Sequence, residues 1–218
     1  MVGISTITDP YQPVEVGEKL TRKSIEVLLK RGFTVSIQTK STLVLRDLDL
    51  LTSRREAVDV GFTIITADPS TSSLLEPGAP RPAQRAEALR TISSTGVKTW
   101  LFYGPVIPGL NDSAESFRGV LELVGNCVEL VFVDKLRITP RVRISLSSAL
   151  ENFEKISSTV RDRYWWSRVV NSFSEVCAKL GVRCVASIAE PLAGGGRVLN
   201  LSSFRGKRLL NVERSSQG

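Results

Sequence analysis

Residues 96–134 read GVKTWLFYGPVIPGLNDSAESFRGVLELVGNCVELVFVD, and the order of elements within them decides the fold class. Residues 97–103 form a strand-like run of Val, Thr, Leu and aromatic side chains. Pro105, Pro108 and Gly109 then punctuate a loop. Asp112 and Glu115 have the spacing of a capping-box-like pair that opens a helix. Its Phe117, Val120, Leu121 and Val124 make one apolar stripe, and Gly125 stops it. Residues 128–134 are nearly all apolar, as a strand buried on both faces requires. Strand, helix and strand in this order make a β-α-β unit, the building block of a parallel sheet.

The same alternation extends in both directions. Upstream, residues 82–95 predict a helix with Pro82 at its first position and Gly96 just past its end. Residues 58–66 predict a strand with Val58, Val60, Phe62 and Ile64 on one face, and residues 33–39 another with Phe33, Val35 and Ile37 aligned. Residues 19–31 read as a helix with Leu20, Val27 and Leu28 near one face, stopped by Gly32. Residues 2–8 read as a short strand ended by Asp9-Pro10, while Asp68-Pro69 and residues 77–80 are turn chemistry. Downstream come helices over 147–160 and 164–180 and a strand over 182–188. Residues 1–190 thus read as one α/β domain. Residues 191–218 read as a basic tail containing Gly and Ser, expected to be mobile. Right-handed crossovers permit an open doubly wound sheet or a barrel, and periodicity does not choose between them. In both, ligands bind at the carboxyl ends of the strands.

Composition narrows the chemistry. The chain has 218 residues and a net charge of +7, a balance that favours phosphate-bearing partners and makes nucleic acid a candidate. Arg137, Arg141 and Arg143, with Arg161, Arg163 and Arg168 around Tyr164-Trp165-Trp166, could stack and neutralise such a strand. Against this, Trp166 falls on an apolar helix face and fits a core role. The absence of histidine excludes every Ser–His or Cys–His nucleophile pair. The spacing of Cys127, Cys177 and Cys184 matches neither a zinc ribbon nor a CxxC redox pair. Cys177 and Cys184 are expected as buried structural thiols. No apolar run approaches the roughly 20 residues needed to span a bilayer, and no secretory signal opens the sequence. The expectation is a cytoplasmic protein that does not enter membranes. Gly194-Gly195-Gly196 lacks the features of a nucleotide-binding loop.

The strand ends concentrate polar residues. Thr8 through Glu15 follow the first strand, Lys40 and Ser41 the second, Thr63 and Thr66 the third, Pro105 to Asp112 the fourth, and Asp134 to Arg137 the fifth. Such a rim of hydroxyls, carboxylates and lysines suits a small ligand with amino and carboxylate groups. Four strings stand out in order: residues 8–15 (TDPYQPVE), 36–51 (SIQTKSTLVLRDLDLL), 75–80 (LEPGAP) and 105–112 (PVIPGLND). Together they resemble the spore-photoproduct-lyase-like branch of the radical S-adenosylmethionine (SAM) superfamily, over roughly residues 2–137.

That resemblance implies a partial (β/α) barrel. It also implies a [4Fe–4S] cluster held by a CxxxCxxC loop and SAM cleaved to a 5′-deoxyadenosyl radical. Carried onto this sequence, it implies that Thr8, supported by Asp9 and Glu15, helps hold the methionine part of SAM. Lys40 pairs with the SAM carboxylate, Thr63 lies near the ribose, and the Pro105–Ile107 backbone lies near the adenine. The chain opens at the family's second strand, so the first β-α unit and its cluster cysteines are missing. The position of the lyase's hydrogen-donating cysteine falls at Thr6. The resemblance therefore implies a chain inactive alone, with the cluster in a full-length form or a partner chain. A partner or dimer would cover the sheet edge along residues 2–8. A cluster-free SAM-binding or nucleic-acid-associated module, or an inactive fragment, is the alternative.

Overall fold

The computed structural model describes residues 1–4, 8–188 and 197–200 and divides the chain into two compact units. Thr6 and most of the tail beyond residue 190 lie outside the described residues. The protein is α/β, with parallel strands and intervening helices in each unit.

The first unit comprises residues 1–102 and 120–129. Strand β1 (Val2–Ile4) pairs in parallel with β2 (Val35–Thr39), β2 with β3 (Val58–Thr63), and β3 with β4 (Lys98–Val106), which begins in this unit. The described β1 ladder runs from Val2↔Val35 to Ile4↔Ile37, and residues 5–7 of the strand expected over residues 2–8 lie outside the described residues. Strand β2 buries Val35, Ile37 and Thr39 in strict alternation, but starts after Phe33, which stays half-exposed. β3 is buried on both faces, and Ile64 and Ile65 continue its apolar run. Gly61 of β3 lies opposite Trp100, and a Cβ there would overlap the indole ring.

Between these strands run α1 (Glu15–Glu18), α2 (Leu20–Lys30), α3 (Leu48–Ser53), α4 (Pro69–Leu75) and α5 (Pro82–Ser94). Helix α2 buries Thr21, Ile25 and Leu29, an i, i+4, i+8 stripe, and leaves Leu20 and Val27 exposed. The face expected from Leu20, Val27 and Leu28 is therefore turned by about one residue's rotation. Asp68-Pro69 is not a bare turn: Asp68 caps α4 by accepting from Ser70 N and Thr71 N, with Pro69 in the first position.

The second unit takes residues 103–119 and the described residues from 130 onward. Its β5 (Leu130–Lys135) pairs in parallel with β6 (Cys184–Ile188), and β6 in antiparallel with β7 (Arg197–Asn200). Helix α6 (Ala114–Val124) starts in this unit and runs into the first. Its cap is Ser113, whose Oγ accepts from Ser116 N. Asp112 instead accepts from Gly109 N and from Trp165 Nε1. The expected stripe of Phe117, Val120, Leu121 and Val124 is buried. The helix expected over 147–160 is two helices, α7 (Pro140–Ala149) and α8 (Phe153–Arg161), broken at extended Leu150. Helix α9 (Arg163–Leu180) follows, capped by Asp162 and ended by Gly181 at φ 67°. Tyr103, Phe117 and Phe173 form an aromatic cluster in the core of this unit. Cys177 and Cys184 are not free thiols but a disulfide between α9 and β6. The helix stop at Gly181 turns the chain so that the two sulfurs meet. No helix among the described residues is long and apolar enough to cross a membrane.

Candidate functional site

Three stretches distant in sequence line one cleft of about 530 Å³ in the first unit. Asp9, Tyr11 and Pro13 come from the segment after β1; Lys40, Ser41 and Leu43 from the end of β2; and residues 77–80 from the loop joining α4 and α5. The first two stretches follow parallel strands and the third follows α4, the helix after β3, so the cleft lies at the carboxyl ends of the sheet, where such folds bind ligands.

Asp9 fixes this geometry. Its Oδ1 accepts from Tyr11 N at 2.9 Å and from Thr39 Oγ1 at 2.7 Å, and its Oδ2 accepts from Lys40 N at 2.7 Å. The carboxylate thereby ties the segment after β1 to the end of β2 and positions Lys40 through its backbone. Glu15 is buried and accepts from Thr21 N, bridging α1 to the first turn of α2. Behind the cleft, the Tyr11 hydroxyl donates to the fully buried Asp47, which also accepts from Arg46 Nε and Nη2 and from Arg22. Burial, then the adjacent Asp47 charge, pushes the Tyr11 phenol far up, keeping it a donor. The hydrogen bond to Asp47 holds the Arg46 guanidinium above its ordinary range.

Lys40 Nζ stands at the cleft, with 41% of its side chain exposed, 3.0 Å from Glu76 Oε1. The contact is an ion pair without hydrogen-bond angles, since Oε1 makes no hydrogen bond. The other oxygen, Oε2, accepts from Arg85 Nη1 at 2.6 Å, and Arg85 is completely buried. Arg85 also donates from Nε to Pro80 O and from Nη1 to Thr63 O. One guanidinium thus joins both ends of the 76–80 loop to the end of β3.

The remaining sequence-predicted residues fall elsewhere. Thr8 is exposed and stands outside the lining of the cleft. Thr63 is buried, accepting from Gln38 Nε2 through its hydroxyl. Pro105 and Ile107 belong to the second unit, Pro105 inside β4 rather than in a loop beyond it. There the buried Asn111 accepts from Ile107 N and donates to Pro105 O. Trp165 and Trp166 are both buried, leaving only Tyr164 of that aromatic run exposed for stacking. Sequence reasoning missed Tyr11, Asp47, Glu76 and Arg85 as parts of the site. The first three lay within strings already singled out. Arg85 carried no signal of its own, because a helical arginine ordinarily faces water.

The class defined so far is an α/β protein with a cleft at the carboxyl ends of parallel strands. No family model matches the chain. It is 38% identical over 109 residues to an uncharacterized protein of Methanocaldococcus jannaschii, a match covering 50% of this chain and 41% of that protein. It is 33% identical over 136 residues to an uncharacterized protein of Acidianus two-tailed virus, covering 62% and 44%. A third relative, an uncharacterized protein of Mycobacterium tuberculosis, is 35% identical over 122 residues, covering 55% and 36%. The chain spans less than half the length of the curated relatives it matches.

Proposed function

We propose that this chain is the SAM-holding part of a radical SAM protein of the spore-photoproduct-lyase-like branch, built on a partial (β/α) barrel. One observation carries the reading. Three of the four strings behind the resemblance, around Asp9, Lys40 and residues 77–80, converge on a single cleft at the strand ends. In the sequence these strings are separated by α2 and β3; in the fold they line one cavity.

The cleft suits the cofactor. It offers one ammonium, the hydroxyl-bearing Ser41 and Thr42, and an apolar wall of Pro13, Val16, Leu43, Pro77 and Pro80. Its volume falls in the range of small-molecule sites. Lys40 takes the carboxylate of the ligand in a charge-assisted contact. Asp9 and Glu15 act behind it, Asp9 by placing the Lys40 backbone and Glu15 by bridging α1 to α2. Bound SAM supplies a sulfonium whose reductive cleavage yields a carbon radical.

The cluster is a different matter. Cys177 and Cys184 are joined to each other, and Cys127 is half-buried with its thiol donating to Val124 O. Among the described residues no group of three or more His, Cys, Asp or Glu could hold a metal ion. These donors do not fit a [4Fe–4S] cluster. Such a cluster would be held by a longer form or a partner chain.

Calorimetry with SAM on the purified chain tests the reading. Wild-type binding is expected, weakened about tenfold in Lys40→Ala, the worth of one hydrogen bond to a charged group. No binding by a folded wild-type chain, or equal binding by the variant, would overturn it.

A further inference from the structure

The buried Glu76–Arg85 pair abuts Lys40, the lysine of the cleft. Glu76 lies directly behind Lys40, and an unpaired carboxylate there would consume the lysine's charge. Arg85 prevents this. It is wholly buried, holds Glu76 Oε2 at 2.6 Å and has no path to a ligand of its own. Lys40, Glu76 and Arg85 therefore form a line of positive, negative and positive charge in which only the first is exposed. The line carries one net positive charge, and that charge is presented where Lys40 meets the cleft. At the short separations seen here, each member strongly determines the others' fields.

We infer that Arg85 is a positioning and charge-compensating residue. By neutralising Glu76 it frees the Lys40 ammonium to bind one singly charged anionic group, such as a carboxylate, while Glu76 fixes the direction in which that ammonium points. The inference rests on the cleft being a ligand site, as proposed above, but not on the ligand being SAM. Arg85 acts through Lys40 and touches no ligand.

The charge pattern makes an unusual prediction for variants. Arg85→Met leaves Lys40 facing an uncompensated carboxylate, and the line of charges becomes neutral. The double variant Glu76→Gln/Arg85→Met removes one charge of each sign and restores the single positive charge. A purely structural pair would change stability along this series but leave the reactivity of Lys40 in the folded chain unaltered. The readout is the rate at which trinitrobenzenesulfonate, an anionic amine reagent, modifies Lys40, followed by peptide mass spectrometry on the folded chain. The rate is expected to fall at least about fivefold in Arg85→Met and to return to within about threefold of wild type in the double variant. A double variant as slow as the single one overturns the inference. If Arg85→Met does not fold, as breaking a buried pair can cause, the double variant alone decides. Labelling within about threefold of wild type upholds the inference, and a greater loss overturns it. SAM calorimetry on the same proteins separates the two readings. Labelling that follows the series while wild type ignores SAM removes SAM but keeps the charge arrangement.

Discussion

Asp47 shows what a single buried carboxylate does here. It is fully buried and satisfies Tyr11, Arg46 and Arg22 together. Asp47→Ala would leave the buried Tyr11 hydroxyl without its acceptor and take from Arg46 its nearest carboxylate, at a cost of about 1–3 kcal/mol, measurable by urea unfolding. Asp134 runs the other way. Its pKa is raised from the ordinary 3.8, mainly by desolvation, against the pull of Arg137. A carboxyl with a raised folded-state pKa binds more protons folded than unfolded. Its effect on stability therefore worsens as pH climbs from the unfolded value through the folded one. Asp134→Asn should raise the melting temperature at pH 7, with the gain disappearing below pH 3.8; thermal scans at the two pH values check it. Neither residue was legible from its neighbours in sequence, because burial of a charge depends on chain segments far away. Lys40 was legible, because a lysine directly after an alternating strand must lie at the strand's carboxyl end.

At the scale of elements, alternation proved more readable than facing. The strand at 35–39 and the stripe of α6 could be read directly, since their apolar residues recur with a single clear period. Helix α2 carries apolar residues on more than one face, so its buried side was misassigned to Leu20 and Val27. The break between α7 and α8 has no proline or glycine to announce it. Two elements give tests. Gly61→Ala drives a methyl into the Trp100 ring and should destabilise by about 1–3 kcal/mol, with Trp fluorescence reporting the disturbed indole during unfolding. The Cys177–Cys184 bridge closes a short loop, and its reduction should lower the unfolding free energy by about 2–3 kcal/mol, read from denaturation with and without dithiothreitol. The pairing escaped sequence reading because spacing alone does not place a helix cysteine against a strand cysteine.

For the whole molecule, the α/β class followed from the repeated β-α pattern, whereas the division into two units did not. The boundary passes through β4 and α6, elements that look continuous in sequence. The distribution of cysteines also acts at this scale. Two are joined in the second unit and the third is half-buried. Anaerobic reconstitution with iron and sulfide should leave less than about one iron per chain after desalting. Stoichiometric iron with the absorbance of a cubane cluster would sink the assignment of the cluster to residues outside this chain.

The three bonds accepted by Asp9 also specify alignment. The described ladder between β1 and β2 sets Val2 against Val35 and Ile4 against Ile37. A slip of two residues would keep every side chain on its original face. That slip displaces one strand by about 7 Å along the other, whereas Asp9 meets Thr39 Oγ1 and the Lys40 amide at 2.7 Å each. Asp9 therefore acts as a latch between the segment after β1 and the end of β2, beside the lysine that stands at the cleft.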